Sequence, residues 1–318
     1  MPSWHEVVNE YARRSGADSE RGLSHIDDMR REALARVSLL TKRPVVLYAT
    51  RWMQGSTRPD LTSISIDDVH AFMVVLQGLH GPDLDLILHS DGGSPTAAEA
   101  VVNYIRTRFS GTIRVFVPLA AMSAATLMAC AANEIVMGKH SYLGPTDPQV
   151  ILQTPLGVRM VAVHSIKKQF ELAQAASSTP AFPAWIPMLQ QFGPDLIVQS
   201  ENALGLTKQL AQNWLERWMF QGRSDAPALA KSAADQLNSH SDHFDHFDHG
   251  RFLPREQIRK FGLLVGDLEA QQELQDAVLT VLHTVIAGFT LADGAHKLVE
   301  NQDGVAIVRL SPPRAVTS

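Results

Sequence analysis

The sequence has one cysteine, no surplus of positive charge and no long apolar run, and each shortage removes a class of explanation. With only Cys130 among 318 residues, no intrachain disulfide framework can form, which suits a reducing compartment. Cys130 lies in an alanine-rich helical pattern and reads as a small buried hydrophobe, not a reactive thiol. Lysine and arginine total 28 against 33 aspartate and glutamate, a net charge of −5. The chain therefore lacks the basic face that nucleic-acid binding requires. No stretch of about 18 uninterrupted apolar residues occurs. The longest candidate, residues 115–130, is broken by Pro118 and Ser123 and reads as buried core. Residues 1–14 are polar and carry no apolar core of signal-peptide length. The expectation is a soluble, cytoplasmic protein with no membrane span and no nucleic-acid partner.

What is present is an ordinary globular composition. Hydrophobic residues make up 45% and charged residues 19%, enough for a substantial core. The organisation expected is a loosely held start at 1–19, one large domain over 20–290 and a tail over 291–318. Within the domain, 20–41 has helical spacing of its apolar residues, and 44–49 is a β-branched run that suits a first core strand. A loop rich in glycine, serine and proline follows. Ser65 opens a helix that His80-Gly81-Pro82 stops. A second strand over 83–89 ends in Ser90-Asp91-Gly92-Gly93. Then come a helix over 94–109, a strand over 112–118, a helix over 123–133 and a strand over 134–137. This alternation argues for an α/β fold with right-handed crossovers and a mainly parallel sheet. Further helices are expected over 164–176, 202–220, 226–238, 254–261 and 269–289. The four prolines of 177–194 mark a loop or broken helix, and the tail holds one possible strand at 305–310.

The chemistry concentrates in residues 84–149. Acyl transfer needs a hydroxyl nucleophile, a base and two backbone donors aimed at the developing oxyanion. Ser123 follows a strand and begins a helix, so the N–H groups around it point outward at the positive end of the helix dipole. Gly92 and Gly93 end the neighbouring strand, where a backbone without Cβ admits a substrate closely. The carboxyl edge of a parallel sheet is where ligands bind in such folds. The plain alternative is an ordinary glycine turn beside an ordinary serine N-cap.

The runs Ala121-Met122-Ser123-Ala124-Ala125-Thr126, Ala131 through Ser141 and Leu143-Gly144-Pro145-Thr146-Asp147-Pro148-Gln149 resemble the serine dehydrogenase proteinase family. That family is related to signal peptide peptidase A, within the Clp-protease/crotonase clan. The resemblance covers residues 20–285 and takes in Asp91-Gly92-Gly93 upstream and Phe247-Asp248-His249, Pro254-Arg255-Glu256-Gln257 and Phe261-Gly262-Leu263-Leu264-Val265 downstream. It implies a Clp-protease/crotonase-like fold, a peptide or protein substrate, no cofactor and a homo-oligomer. It also implies Ser123 as nucleophile, with Gly92 or Gly93 and Ala124 supplying the oxyanion-hole N–H groups. Relatives of the signal peptide peptidase A type place a lysine base on the helix after the Gly-Pro turn. Here Ser165-Ile166-Lys167-Lys168 matches that run, with Lys168 preferred over Lys167. His140, His164 and Asp147 are the fallback partners. A lysine base must be neutral to accept the serine proton, so burial would have to lower its pKa.

Two other function classes stay open at this point. A catalytically silent oligomeric scaffold on the same fold is motivated by Ala124-Ala125, which stands where the family usually has glycine. A crotonase-type acyl-CoA enzyme would use the same paired N–H groups on a thioester. The histidine- and aspartate-rich run 240–249 fits no standard zinc spacing and reads as a polar loop, with no metal site expected. Trp214, Trp218 and Phe220 sit at helical spacing and read as core or subunit contact. Trp52 and Met53, after the first strand, are candidates to line a substrate groove.

Overall fold

A computed structural model describes residues 4–54, 58–154, 157–190, 192–239, 250–292 and 294–311. The run 240–249 therefore lies outside the described residues. The strands are β1 (Val45–Thr50), β2 (Leu84–His89), β3 (Ile113–Val117), β4 (Ala120–Ala121), β5 (Glu134–Met137) and β6 (Tyr142–Leu143). They continue as β7 (Gln149–Thr154), β8 (Gly157–Ala162), β9 (Leu253–Pro254), β10 (Val265–Asp267), β11 (Ala295–Asn301) and β12 (Ala306–Leu310). The helices are α1 (Trp4–Ala17), α2 (Ser24–Thr41), α3 (Pro59–Thr62), α4 (Asp67–Val75), α5 (Pro95–Arg108) and α6 (Ala124–Cys130). They continue as α7 (Val163–Ala176), α8 (Ile186–Leu189), α9 (Leu196–Trp214), α10 (Ala226–Ser239), α11 (Arg255–Lys260) and α12 (Gln272–Leu291).

Seven strands form the main sheet in the order β10-β5-β3-β2-β1-β11-β12. From β10 to β1 all neighbours are parallel, while β11 pairs antiparallel with β1 and with β12. This is the α/β architecture expected, with a mainly parallel sheet. Strands β1 and β2 are buried along their whole length, because helices cover both faces. Alternate residues serve opposite cores. Val46, Tyr48, Leu86 and Leu88 pack with α4, α5 and α6, whereas Val45, Leu47, Ala49 and Ile87 pack with α2 and α12. Helix α12 is long and apolar enough to cross a bilayer by length and composition, but 61% of that stretch is buried within the protein. Its apolar face packs against α2 and the sheet.

Both chain ends differ from expectation. Residues 4–17 form a helix, held by Val7 in the core, by Trp4 edge-on to His283 at 6.1 Å and by Arg14 on Glu32 at 2.8 Å. The segment looks polar because its contacts are mostly charge pairs. The tail is not peripheral either, since β11 lies inside the sheet beside β1. Its sequence, Ala-His-Lys-Leu-Val-Glu-Asn, hides this because its polar members are buried on partners. Glu300 pairs with Arg30 and, at 2.9 Å, with Arg31; Asn301 donates to the Val75 carbonyl at 2.7 Å; Lys297 pairs with Asp68. Residues 149–162, unassigned by pattern, form the β7–β8 hairpin, which pairs only with itself among the described residues.

Candidate active site

The end of β2 and the short strand β4 run side by side. Ser90 N–H donates to the Ala120 carbonyl at 3.2 Å, and Met122 N–H donates to the Ser90 carbonyl at 2.9 Å. This pairing brings Gly92 against the turn that leads into α6. A Cβ built on Gly92 would lie 2.6 Å from the Met122 carbonyl oxygen, 2.8 Å from Ser123 Cβ and 3.0 Å from Ala124 N. Only glycine permits that approach, and its φ of 102° also favours glycine.

Ser123 adopts φ 51° and ψ −119° at the junction of strand and helix. For a residue with a Cβ this is a sparsely populated conformation, costing about 1–3 kcal/mol. A sharp strand-to-helix turn also exposes the nucleophile of α/β-hydrolases. An ordinary N-cap serine would sit in extended backbone and turn its hydroxyl onto the helix. Ser123 does neither: its side chain makes no capping hydrogen bond, and it is half-buried where its neighbours are buried. The turn is held from behind. Thr126 Oγ1 donates within reach of the Ala121 carbonyl at 2.8 Å and the Gly144 carbonyl at 2.9 Å.

Of the two glycines, Gly92 has its N–H engaged by Ser90 Oγ at 3.1 Å. Among the described residues, the N–H groups of Gly93 and Ala124 have no hydrogen-bond partner. Gly93 is fixed from its other side by Ile64, whose N–H donates to the Gly92 carbonyl at 2.7 Å and whose carbonyl accepts from Ser94 N–H at 3.0 Å. The fit is so close that a Cβ on Gly93 would fall 2.3 Å from Ile64 N. Asp91 is largely buried, and its carboxyl takes hydroxyl hydrogen bonds from Thr50 at 3.2 Å and Thr62 at 3.3 Å. Burial pushes its pKa up, and those hydroxyls oppose the shift. Ser90, Thr126 and the Ile64 strap are contributors that residue-type reasoning did not single out. Their signal is positional, and only the folded chain supplies it.

The candidate bases lie in different settings. Lys167 and Lys168 are on α7, with Lys168 68% exposed and 3.6 Å from Glu171, and Lys167 3.9 Å from Glu201. His164, also on α7, contacts the Asn238 carbonyl at 3.2 Å. His140 is packed so tightly under Gly138 that a Cβ there would lie 2.6 Å from its ring. Asp147 is fully buried. One histidine that pattern reading passed over is His89, buried at the end of β2. Its Nδ1 lies 3.2 Å from the Ala120 carbonyl, its Nε2 has no hydrogen-bond partner among the described residues, and burial holds its pKa down at about 4.

Trp52 lies near His89, with ring centroids 5.8 Å apart, and near Phe252 at 6.4 Å, so the candidate groove residue joins an aromatic cluster; Met53 is exposed. Trp214 and Trp218 pack together at 6.2 Å with Arg106 stacked on Trp218, and Phe220 is fully buried, which makes the stripe core. Cys130 is fully buried and its thiol is pushed up to about 12 by burial. Among the described residues no group of three histidine, cysteine or acidic side chains could hold a metal ion.

Comparison with known proteins bears on the same stretch. Residues 59–173 match the family described as ClpP-like SDH-type serine proteinases. The match includes Gly92, Gly93, Ser123, Ala124 and both α7 lysines. Two uncharacterised proteins of Methanocaldococcus jannaschii are 43% and 40% identical over 67 residues, 21% of this chain and 23% of each of theirs. The chain thus spans under a quarter of the length of these curated relatives. Two solved structures of the 1510-N membrane-bound stomatin-specific protease align with 64% of this chain, at 15% and 16% identity and a TM-score of 0.36. They cover 74% and 70% of those chains; one is a serine-to-alanine variant, the other a lysine-to-alanine variant with a substrate peptide.

Proposed function

We propose, from the match of residues 59–173 to the ClpP-like SDH-type serine proteinases, that the protein is a peptidase working through an acyl-enzyme on Ser123. Ser123 Oγ attacks the peptide carbonyl carbon and passes its proton to a neutral lysine amine. The carbonyl oxygen takes the negative charge and is received by the N–H groups of Gly93 and Ala124. Collapse breaks the C–N bond, and the leaving amine takes the proton from the lysine. Water then attacks the ester, again with the lysine as base, and frees the acid and Ser123. The single observation that carries the reading is the serine itself. It is held at φ 51° with its hydroxyl unused for capping, beside two N–H groups that have no partner among the described residues.

For the base the reading takes Lys168, with Lys167 second. Lys167 lies 3.9 Å from Glu201 and Lys168 3.6 Å from Glu171, whereas a lysine base has to be neutral to accept the serine proton. The base therefore requires α7 to be covered. The adjoining β7–β8 hairpin exposes Ile151, Val158 and Met160 on one face, and α7 exposes Phe170 and Leu172. A lone two-stranded ribbon with an apolar face gains from being covered. Self-association through this surface, giving the homo-oligomer, would dehydrate the α7 lysines. A cytoplasmic setting suits the single buried cysteine.

The exposed lysines also favour a second reading, a catalytically silent scaffold on the same fold. A fluorophosphonate probe and a peptide-hydrolysis assay on the purified protein separate the two. The peptidase reading expects labelling of Ser123, loss of labelling and turnover in Ser123→Ala, and a fall of at least 100-fold in kcat in Lys168→Met. An unlabelled wild type would leave the scaffold. Turnover unchanged in Ser123→Ala would end the serine mechanism.

A further inference from the structure

The Ile64 strap that clamps Gly92 and Gly93 is itself anchored, and the anchor is a buried ion pair far along the chain. Lys297, on β11, is 3% exposed, and so is Asp68 at the start of α4. The Lys297 ammonium lies 2.8 Å from both Asp68 carboxylate oxygens and donates at 2.8 Å to the carbonyl of Ser63, the residue before Ile64. Asp68 Oδ2 also accepts from the Tyr48 hydroxyl at 2.8 Å and from Ser65 N–H at 2.9 Å. All three ammonium protons and the carboxylate are thereby satisfied. The other charged groups nearby are Asp67, paired with Arg309 at 2.5 Å, and Asp91 across the strap. His70 shares the cavity beside the pair.

Burying two charges costs more than a well-packed apolar pair of equal volume would, so such a pair is weak evidence for stability. Here its hydrogen bonds have a direction. They hold Ser63 and Ser65 on both sides of Ile64, and Ile64 holds the Gly92 carbonyl and the Ser94 amide. From the far side, Thr62 ties the same strap to Asp91 at 3.3 Å. The Lys297 side chain reaches the glycine turn through Ser63 and Ile64, whereas its backbone reaches it across β1, where its register partner Thr50 donates to Asp91 at 3.2 Å; a side-chain substitution perturbs the first route and spares the second.

We propose that Lys297 and Asp68 are positioning residues for the oxyanion hole: the pair fixes the strap that sets where the Gly93 N–H points. This rests on the serine-peptidase reading of the same site. Neither side chain touches substrate, and both act through Ile64. Removing the pair without leaving a lone charge should keep the fold and loosen the turn.

The test is the double variant Lys297→Met/Asp68→Asn in the full chain. The asparagine can still accept from Tyr48 and Ser65, but Ser63 loses its donor. The expected result is fluorophosphonate labelling of Ser123 slowed 10- to 100-fold, kcat reduced to match and KM within threefold. Hydrogen exchange at the Ile64 and Ser94 amides should rise at least 10-fold while β3 amides stay protected. Labelling at the wild-type rate, or unchanged exchange at Ile64, overturns the proposal. Should the double variant fail to fold, exchange in the wild type decides. An Ile64 amide that exchanges rapidly while the β1–β11 amides stay protected means the strap is not anchored. An unlabelled wild type removes the peptidase reading and this inference with it; a labelled wild type with an equally labelled variant removes this inference alone.

Discussion

Replacing Gly92 by alanine tests whether the nucleophile turn depends on the close approach of that backbone. Two effects are built into the substitution. The first is conformational: φ is +102°, and an L-residue held there loses about 1–2 kcal/mol. The second is steric. The new methyl would stand 2.6 Å from the Met122 carbonyl oxygen and 2.8 Å from Ser123 Cβ. Restoring ordinary contact at 3.4 Å requires the two strand ends to part by about 0.8 Å. The atoms displaced belong to Ser123, the proposed nucleophile, and to Ala124, the proposed donor. A misplacement of about 1 Å costs on the order of 100-fold in rate, so kcat should fall about 30- to 100-fold. The control is Gly78→Ala, where φ is +83° but nothing lies within 4 Å of the built Cβ. It carries the strain without the collision. Both variants should lower Tm by a few degrees, at about 2–4 °C per kcal/mol, and only Gly92→Ala should slow fluorophosphonate labelling. If the two variants label alike at matched stability, the close approach does not position Ser123.

Two further outcomes follow from the same geometry. Burial lowers the His89 pKa from 6.5 to about 4, so the unfolded chain binds this proton more readily than the folded one. Stability from this group is complete above pH 6.5 and is lost as pH falls toward 4, to a total of about 3 kcal/mol. Urea unfolding at pH 7 and pH 4 should show a drop that is smaller by about that amount in His89→Phe, and an identical drop in both proteins would refute the assignment. For the hairpin, the pair Ile151→Lys/Met160→Lys should shift the protein to a smaller species in sedimentation and reduce kcat, with the monomer fold intact. A wild type that is monomeric at working concentration would remove the proposed interface.

The sequence by itself determined the parallel centre of this protein and the place of its candidate nucleophile. The run at 44–49 is apolar on both faces, and those at 83–89 and 112–118 are apolar on one face and interrupted on the other by Asp85 and Arg114, which bond each other; strands between two helical cores have this composition, so β1, β2 and β3 were legible. Glycines at the end of β2 and a serine before an alanine-rich helix were legible because strand ends and helix starts are local events. Tertiary structure decided everything that depends on pairing across long separations. Strand β11 joins the sheet although it carries lysine, glutamate and asparagine, because Asp68, Arg30 and the Val75 carbonyl meet them from elements more than 200 residues earlier. No local pattern encodes a polar strand whose partners are that remote. Which of the two glycines has its N–H engaged was settled the same way, by the Ser90 hydroxyl on Gly92. Periodicity records which face of an element is buried; it does not record which buried charge will find its partner, since that depends on where the chain returns.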